Sequence, residues 1–251
     1  MTPDGTTVQV LGSAGSFPQP GNPSSGYLVR TPTATIWIDC GAGTFSALQA
    51  EVDLADVDAI IVSHQHADHC LELVHVHVAA MFVFRMQGIP VYSTAGVRGV
   101  IEPLLHGDLE PTFTWTTIDE TSVLNIGAAT VSFSRTDHPV ETLAVRVEEG
   151  GVIFGYSADT GPGWSFAELD PNGKGFDLAI CEATLNPEHA GLAAHLTAAE
   201  AGAMAGASKV RSLALTHMYH WTIEDRVRQA AEVFDGDLSV AHPGTIFHLS
   251  P

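Results

Sequence analysis

Short apolar runs recur along the chain, rich in Val, Ile, Leu and aromatic residues and bounded by Gly, Pro, Asn or Asp. This pattern predicts β-strands separated by turns. Longer stretches of mixed apolar and polar content predict helices between them. The predicted strands cover 8–11, 26–30, 35–38, 59–62, 90–93, 113–117, 129–134, 143–147, 152–157, 178–181 and 213–216. The predicted helices cover 44–51, 71–86, 197–206 and 222–234, and Thr197 is the expected cap of the third.

The order of these elements predicts the layers of the fold. Strands occur in both halves of the chain with helices interspersed, which favours two sheets covered by outer helices. The central strands 113–117, 129–134 and 143–147 are bounded by Gly, Asp and Pro, and we expect them to form an antiparallel meander. The polar residues of interest fall mainly beyond strand ends, where loops on a rigid scaffold usually place chemistry.

Length and composition limit the class of protein. The chain has 251 residues, of which 45% are hydrophobic, so it can bury a substantial core. No break in composition divides it, and one domain over residues 1–251 is expected. The apolar stretches are shorter than the roughly 20 residues that span a bilayer, and residues 1–5 lack the features of a secretion signal. We therefore expect a soluble, cytoplasmic protein with no membrane partner.

Cysteine content and charge narrow the choice of partners. Cys40, Cys70 and Cys181 are odd in number and scattered, so we expect free buried thiols rather than a disulfide framework. The formal net charge is −19, and the only lysines are Lys174 and Lys209. Such an acidic chain disfavours long nucleic acid as a partner. Divalent metals would still attract one small phosphorylated ligand, and the acids also serve solubility.

The segment 63–69 carries the strongest chemical signal in the chain. It contains His64, His66, Asp68 and His69 directly after the apolar run 59–62. No single helix face or strand face presents these four side chains together. We therefore expect a strand that ends in a loop wrapping a metal.

Three more candidate ligands, His138, Asp159 and His217, follow predicted strands. Nitrogen and carboxylate donors without thiolate suit zinc, with manganese or iron as alternatives, and a bridging carboxylate can hold two ions. Two divalent metal ions are therefore the expected cofactors. The isolated histidines are expected to be surface or satisfied core residues: His75, His77, His106, His189, His242 and His248.

In this ordered set of ligands the chain resembles the metallo-β-lactamase superfamily over essentially its whole length. The resemblance implies an α/β fold, an αββα sandwich of two mixed β-sheets flanked by helices. It also implies a division of ligands, with His64, His66 and His138 on one metal, Asp68, His69 and His217 on the other, and Asp159 bridging both. Asp39 matches the early Asp-x-Gly turn of the superfamily and is expected to orient the metal segment rather than to bind metal.

Two further segments resemble the ribonuclease Z-like branch of this superfamily. They are Cys181-Glu182-Ala183-Thr184 and His195-Leu196-Thr197. The resemblance implies that His195, supported by Glu182, serves the leaving group, while Asp68 orients or deprotonates the attacking water. The alternative is that Glu182 is a buried acid at a strand end and that His195 is an N-terminal helix residue.

The substrate class follows from what separates His138 from Asp159. Ribonuclease Z proper inserts a long basic arm there to hold tRNA, whereas this chain has only residues 139–158, with Arg146 as the single basic residue. In 16–29, 63–73 and the Thr216–Thr222 region the chain also resembles actinobacterial cyclic-nucleotide phosphodiesterases of the same branch. The hypothesis is therefore a metal-dependent phosphodiesterase that hydrolyses a 3′,5′-cyclic nucleotide or a similarly small phosphodiester.

Other functions and contacts stay open at this point. A ribonuclease Z-like tRNA 3′ processing endonuclease, a lactonase or thioesterase-type hydrolase, and a metal-dependent binding protein are the alternatives. Tyr219, His220 and Trp221 follow His217 and are candidates to line the pocket, with Trp221 stacking on a base or packing in the core. Related enzymes often form homodimers, and the helix 71–84 is a candidate contact surface or a core element.

Overall fold

The computed structural model describes residues 5–105 and 109–250. The first four residues and His106, which entered the expectations above, lie outside the described residues. The strands are β1 Thr6–Gly12, β2 Gly26–Arg30, β3 Thr35–Ile38, β4 Ala59–Val62, β5 Ile89–Ser93, β6 Phe113–Thr117, β7 Val123–Ile126, β8 Ala129–Arg135, β9 Leu143–Glu149, β10 Val152–Tyr156, β11 Phe176–Glu182, β12 Val210–Thr216, β13 Asp237–Val240 and β14 Ile246–Leu249. The α-helices are α1 Thr44–Gln49, α2 Ala67–Cys70, α3 Glu72–Ala79, α4 Ala95–Ile101, α5 Ala198–Ala207 and α6 Ile223–Ala231.

The described strands form two sheets of seven strands each. The first has the order β14-β1-β2-β3-β4-β5-β6 and the second the order β13-β12-β11-β10-β9-β8-β7. Both are mixed, because β3, β4, β5 and β6 run parallel beside antiparallel pairs, and so do β10, β11, β12 and β13. The predicted sandwich of two mixed sheets flanked by helices is confirmed.

The core lies in three layers that follow from the alternation of side chains along each strand. In β2, Tyr27 and Val29 face the cluster between the two sheets, whereas Leu28 faces the cluster beneath α1, α3 and α4. The helices α5 and α6 cover the outer face of the second sheet with small residues such as Ala201 and Ala230. Strands buried on both faces appear as continuous apolar runs, which is why the sequence pattern located them well.

The expected meander needs a correction. Strand β6 pairs in parallel with β5 in the first sheet, and the antiparallel meander of the second sheet consists of β7, β8, β9 and β10. The sequence pattern did not predict four elements, β7, β13, β14 and α4. The first three are short, four-residue strands with several exposed or half-buried residues, so their apolar signal is weak.

The cysteine prediction is confirmed, because all three thiols are free and buried.

The segment after β4 also differs from expectation, since it does not stay a loop. Helix α2 begins at Ala67, so Asp68 and His69 lie on its first turn, and helical structure continues to Phe84 through a final π-helical turn. Within the described residues, this stretch of 18 residues has a mean hydropathy of 1.3 and is long and apolar enough to cross a membrane. Its Leu73 and Val76 are fully buried in the core, and core helices pass the same test of length and composition.

The capping box at the start of α5 yields a stability prediction. The Thr197 hydroxyl accepts a hydrogen bond from the Glu200 backbone N–H, and the Glu200 carboxylate accepts one from the Thr197 N–H at 2.7 Å. Thr197→Ala removes the hydroxyl and should lower the free energy of unfolding by about 1 kcal/mol, measured by urea denaturation. Thr197→Ser keeps the hydroxyl and is the matched control. Equal midpoints for the Ala and Ser variants would contradict the capping role.

Candidate metal centre

The candidate ligands converge because of how the strands run. Strands β10, β11 and β12 are parallel, and β8 runs in the same direction because β9 is antiparallel to both β8 and β10. Their carboxyl ends therefore lie at one edge of the second sheet. This edge carries, in strand order, His138, Asp159, Glu182 and His217. The segment after β4 brings the remaining ligands from the first sheet to the same place.

The first group of donors consists of His64, His66, His138 and Asp159, whose ligand atoms lie within 4.8 Å of one another. His66 Nδ1 lies 3.1 Å from His64 Nε2 and 3.2 Å from His138 Nε2. Asp159 Oδ2 lies 3.7 Å from His64 Nε2. Ligands held about 2.1 Å from a tetrahedral zinc ion are separated by about 3.4 Å, so these spacings fit one metal ion.

The second group consists of Asp68, His69 and His217. His217 Nε2 lies 3.1 Å from Asp68 Oδ2 and 3.3 Å from His69 Nε2. These spacings again match those around a tetrahedral ion. All seven side chains predicted as metal ligands are thus brought together in two adjacent groups.

Asp159 lies between the two groups. Its Oδ2 faces His64 and His138, while its Oδ1 lies 3.3 Å from His69 Nε2 and 3.4 Å from His217 Nε2. The side chain is buried, and Oδ1 has no hydrogen-bond partner. A buried carboxylate oxygen without a partner is costly, so the donor set calls for a cation at this position.

Burial alone would raise the pKa of Asp159, but the imidazoles of His217 and His69 hold that pKa well below its usual range. Asp159 is therefore an anion inside the protein. Burial lowers the pKa of His64 well below its usual value, and the neighbouring His69 lowers it further. His64 is therefore neutral, with a lone pair free to bind a metal.

In four of the candidate histidine ligands, a hydrogen bond to Nδ1 determines that Nε2 is the nitrogen available to a metal. The Nδ1–H of His69 donates to Asp39 Oδ2 at 2.7 Å, and that of His138 donates to the Ala194 carbonyl at 3.1 Å. His64 Nδ1 lies 3.0 Å from Ser63 Oγ, and His217 Nδ1 lies 2.7 Å from Thr184 Oγ1. These four rings therefore present Nε2 to the centre. Anchoring of this kind is typical of metal-binding histidines.

Asp39 holds the segment after β4 in place, as predicted. It is fully buried and has a positive φ of 60°. Its Oδ1 accepts a hydrogen bond from the Ser63 N–H at 2.8 Å, and its Oδ2 accepts bonds from the Ser63 and Tyr156 hydroxyls at 3.0 and 2.8 Å. With the bond from His69, one carboxylate links the two sheets to a candidate metal ligand.

Beside the two donor groups lies the pair Glu182 and His195. Glu182 Oε1 accepts a hydrogen bond from His195 Nδ1–H at 2.8 Å and another from the Thr160 N–H. Burial alone would lower the pKa of His195, but the hydrogen bond and charge of Glu182 raise it to about 9. A ring nitrogen of His195 lies within 4.8 Å of donor atoms of Asp159 and His217. The ring of His195 is 19% exposed and borders the candidate centre.

Sequence reasoning missed the connection between these parts. The Thr184 hydroxyl contacts both Glu182 Oε2, at 2.8 Å, and His217 Nδ1, so a ligand and the acid pair share one support. Thr184 is the last residue of the Glu182-Ala183-Thr184 segment, and this position was the one sequence feature that could have indicated its role.

The nearby Gly15 is required by packing, since a Cβ there would lie 2.5 Å from the His217 carbonyl oxygen. His75 stays away from the centre, bonded to Glu72.

Comparisons with known proteins agree with this geometry. Residues 34–218 match the family model described as the β-lactamase superfamily domain. An uncharacterized protein of Mycobacterium tuberculosis is 35% identical over 257 aligned residues, covering 91% of this chain and 87% of the relative. The probable metallo-hydrolase YhfI of Bacillus subtilis is 30% identical, covering 96% of this chain and 98% of the relative.

The crystal structure of YhfI superposes with a TM-score of 0.87 at 28% identity, covering 98% of this chain and all of that one. Ribonuclease Z of Kineococcus radiotolerans is 29% identical, covering 83% of this chain and 82% of the relative. The chain therefore belongs to the metallo-β-lactamase superfamily. Its His and Asp clusters are able to bind metal ions.

The anchoring carboxylate yields a prediction about metal affinity. Hydrogen-bond donors approach both carboxylate oxygens of Asp39. Asp39→Asn replaces one of these oxygens by an NH₂ group, which cannot accept a hydrogen bond. The variant should bind zinc about 10- to 100-fold more weakly, measured by competition with a chromophoric chelator. Asp56→Asn, at an exposed surface position, is the control. Unchanged zinc affinity in a folded Asp39→Asn protein would refute the anchoring role.

Proposed function

We propose that this protein is a metal-dependent phosphodiesterase that hydrolyses a small phosphodiester, a 3′,5′-cyclic nucleotide. The observation that carries the proposal is the Glu182–His195 pair beside two groups of metal donors. Phosphodiester hydrolysis with an alkoxide leaving group needs both an electrophilic centre and a proton donor. The chain supplies residues for each.

The donor set suits two divalent ions, with zinc preferred for its nitrogen and carboxylate ligands and manganese or iron as alternatives. His64, His66 and His138 would hold one ion, Asp68, His69 and His217 the other, and Asp159 would contact both. When bound, such ions supply an activated water and positive charge for the phosphoryl oxygens. Asp68 is 9% exposed and its Oδ2 lies 3.1 Å from His217 Nε2, so this carboxylate borders the centre and would orient that water or take its proton.

His195 is assigned to the leaving oxygen. Glu182 occupies its Nδ1–H, which leaves Nε2 as the free nitrogen of the ring. In the protonated form this nitrogen donates its proton to the departing 3′ oxygen, and the charge of Glu182 stabilises that form. Glu182 is itself fixed by the backbone N–H of Thr160 and by the Thr184 hydroxyl, so the acid is preorganised.

The short span between His138 and Asp159 favours a small substrate. Residues 143–149 and 152–156 form the hairpin β9–β10, joined by a tight turn at Gly150 and Gly151. Residues 139–142 make a short connection from β8 to this hairpin, and residues 157–158 follow β10 directly, which leaves no projecting arm for tRNA in this span. The net charge of −19 also opposes a long polyanion. These features favour a compact substrate over tRNA.

Two other activities are kept as alternatives. The similarity to ribonuclease Z of Kineococcus radiotolerans favours tRNA 3′ processing, since that enzyme shares most of its length with this chain. A lactonase or thioesterase-type hydrolase would use the same metals on a carbonyl. Its better leaving groups have less need of an acid such as His195.

The role of His195 can be tested by leaving-group dependence. His195→Ala should lower kcat for cyclic AMP by about 10²- to 10⁴-fold, because the 3′ alkoxide then departs unprotonated. The loss for bis(p-nitrophenyl) phosphate should be much smaller, because nitrophenolate departs without a proton. Both are measured on zinc-loaded enzyme with metal content determined in parallel.

His189→Ala, at an exposed position on the same segment, is the matched control and should behave as the wild type. Equal losses on both substrates, with metal content intact, would remove the acid role. Wild-type enzyme that cleaves precursor tRNA but no small diester would refute the substrate assignment.

The oligomeric state and location stay predictions. The outer side of the helix that ends at Phe84 exposes apolar side chains, including Val78 and Val83, and is the candidate surface for a homodimer. Sedimentation velocity measures the assembly directly. A cytoplasmic location is likewise proposed from the sequence.

A further inference from the structure

Three aromatic side chains form a platform next to the metal centre, and the catalytic roles above do not use them. Phe17, Tyr219 and Trp221 are in contact in that order, with ring centroids 5.9 Å apart for the first pair and 5.0 Å for the second. The rings of Tyr219 and Trp221 are almost parallel, at 4°. We name these three residues the aromatic platform.

The platform is exposed to solvent. Trp221 is 62% exposed and Phe17 is 48% exposed, so the sequence-based alternative that Trp221 packs in the core is wrong. Burying large aromatic side chains is favourable, and a contiguous patch of aromatic rings that stays exposed to water is typical of a binding surface. One face of the Trp221 ring packs on Tyr219, and the ring of His220 lies against it at 82° with centroids 4.7 Å apart. Trp221 still keeps 62% of its surface exposed, which leaves room for a ligand.

The platform is held rigidly against the centre. Gln19 Oε1 accepts hydrogen bonds from the backbone N–H and from Nδ1–H of His220, both at 2.8 Å, and Gln19 Nε2 donates to the Met218 carbonyl. The Tyr219 hydroxyl lies 3.3 Å from Ser16 Oγ. These bonds tie the loop that carries Phe17 to the segment that carries the other two rings.

Proximity to the reacting position follows from the chain itself. Tyr219 is two residues beyond the candidate ligand His217, so their Cα atoms are at most about 7 Å apart. The His217 backbone N–H donates to the Ser13 carbonyl at 3.0 Å, which brings the loop of Phe17 to the same place. The platform therefore adjoins the candidate metal centre, both along the chain and through this backbone hydrogen bond.

We infer that the aromatic platform binds the nucleobase of the substrate by stacking, with Trp221 as the contact surface, and thereby selects nucleoside cyclic phosphates over other small diesters. This inference rests on the proposed function and names its substrate class. Stacking suits this protein because it needs no positive charge, which the acidic chain largely lacks. It also tolerates different bases, since every base has a π-face.

The test compares two cyclic esters that differ only in the base. They are cyclic AMP and the 3′,5′-cyclic phosphate of methyl riboside, in which a methoxy group replaces the base. Trp221→Ala should raise KM for cyclic AMP about 5- to 100-fold, with kcat largely unchanged and with no effect on the methyl riboside ester. Phe17→Ala should have the same selectivity with a smaller effect.

Trp221→Phe keeps a stacking ring and should restore most of the affinity. Val123→Ala, at an exposed apolar position on the edge strand β7, controls for loss of surface apolar area and should leave both KM values unchanged. Equal changes of KM for the two esters in Trp221→Ala would overturn the platform as a base site.

A binding measurement separates failure of the platform from failure of the proposed function. Titration with adenosine 5′-monophosphate should quench the fluorescence of exposed Trp221, and the quenching should be absent from Trp221→Phe. Wild-type enzyme that hydrolyses neither ester refutes the cyclic-phosphodiesterase function, whatever the quenching. Turnover of both esters by wild type, with no quenching difference and no KM difference, refutes the platform alone.

Discussion

The buried carboxylate of Asp159 is the constraint on which the arrangement of this protein depends. It lies at the end of a fully buried strand, with one oxygen facing His64 and His138 and the other facing His69 and His217. A buried carboxylate is stable only when opposite charge or hydrogen-bond donors offset the loss of its hydration, and metal ions held by the surrounding histidines would supply that charge. Four strands of the second sheet end at the same edge, and the segment after β4 closes the site from the first sheet.

A second set of hydrogen bonds makes that arrangement specific. Asp39 and Thr184 each bond to the Nδ1 side of a metal-facing histidine, and each also bonds to a group outside the metal set. Asp39 contacts Tyr156, whose strand leads to Asp159, while Thr184 contacts Glu182, which holds His195. The metal donors and the acid pair are therefore coupled, and displacement of one support affects both.

The sequence was sufficient for the layers and for the donor set, because both depend on local signals. Strands such as β2, β3 and β4 were located to the residue by continuous apolar runs, and the His and Asp donors by their spacing and by resemblance. The sheet that each strand joins was not predictable in the same way. The composition of β6 is similar to that of the strands that follow it in the chain, but β6 pairs with β5 in the first sheet. Tertiary packing determines this pairing.

The same limit applied to the helical turn at Asp68, to the support from Thr184 and to the contact between Phe17 and Tyr219. Each depends on which groups meet in the folded chain, and the sequence does not indicate those contacts. Phe17 and Tyr219 are separated by about two hundred positions, and no periodicity connects them.

An acidic protein that binds a phosphodiester has to resolve an electrostatic conflict. Its net charge of −19 repels the anionic substrate at long range, although this repulsion is screened beyond about 8 to 10 Å in physiological salt. Attraction must therefore be concentrated at short range, and in the proposed function the metal ions held by the His and Asp donors, together with a protonated His195, would provide it at the phosphate. A stacking surface adds affinity without adding charge. The charged centre and the stacking surface together favour a small ligand that carries one phosphate and one base. Each further phosphate of a polymer would be repelled by the acidic surface, with no metal ion or His195 nearby to compensate.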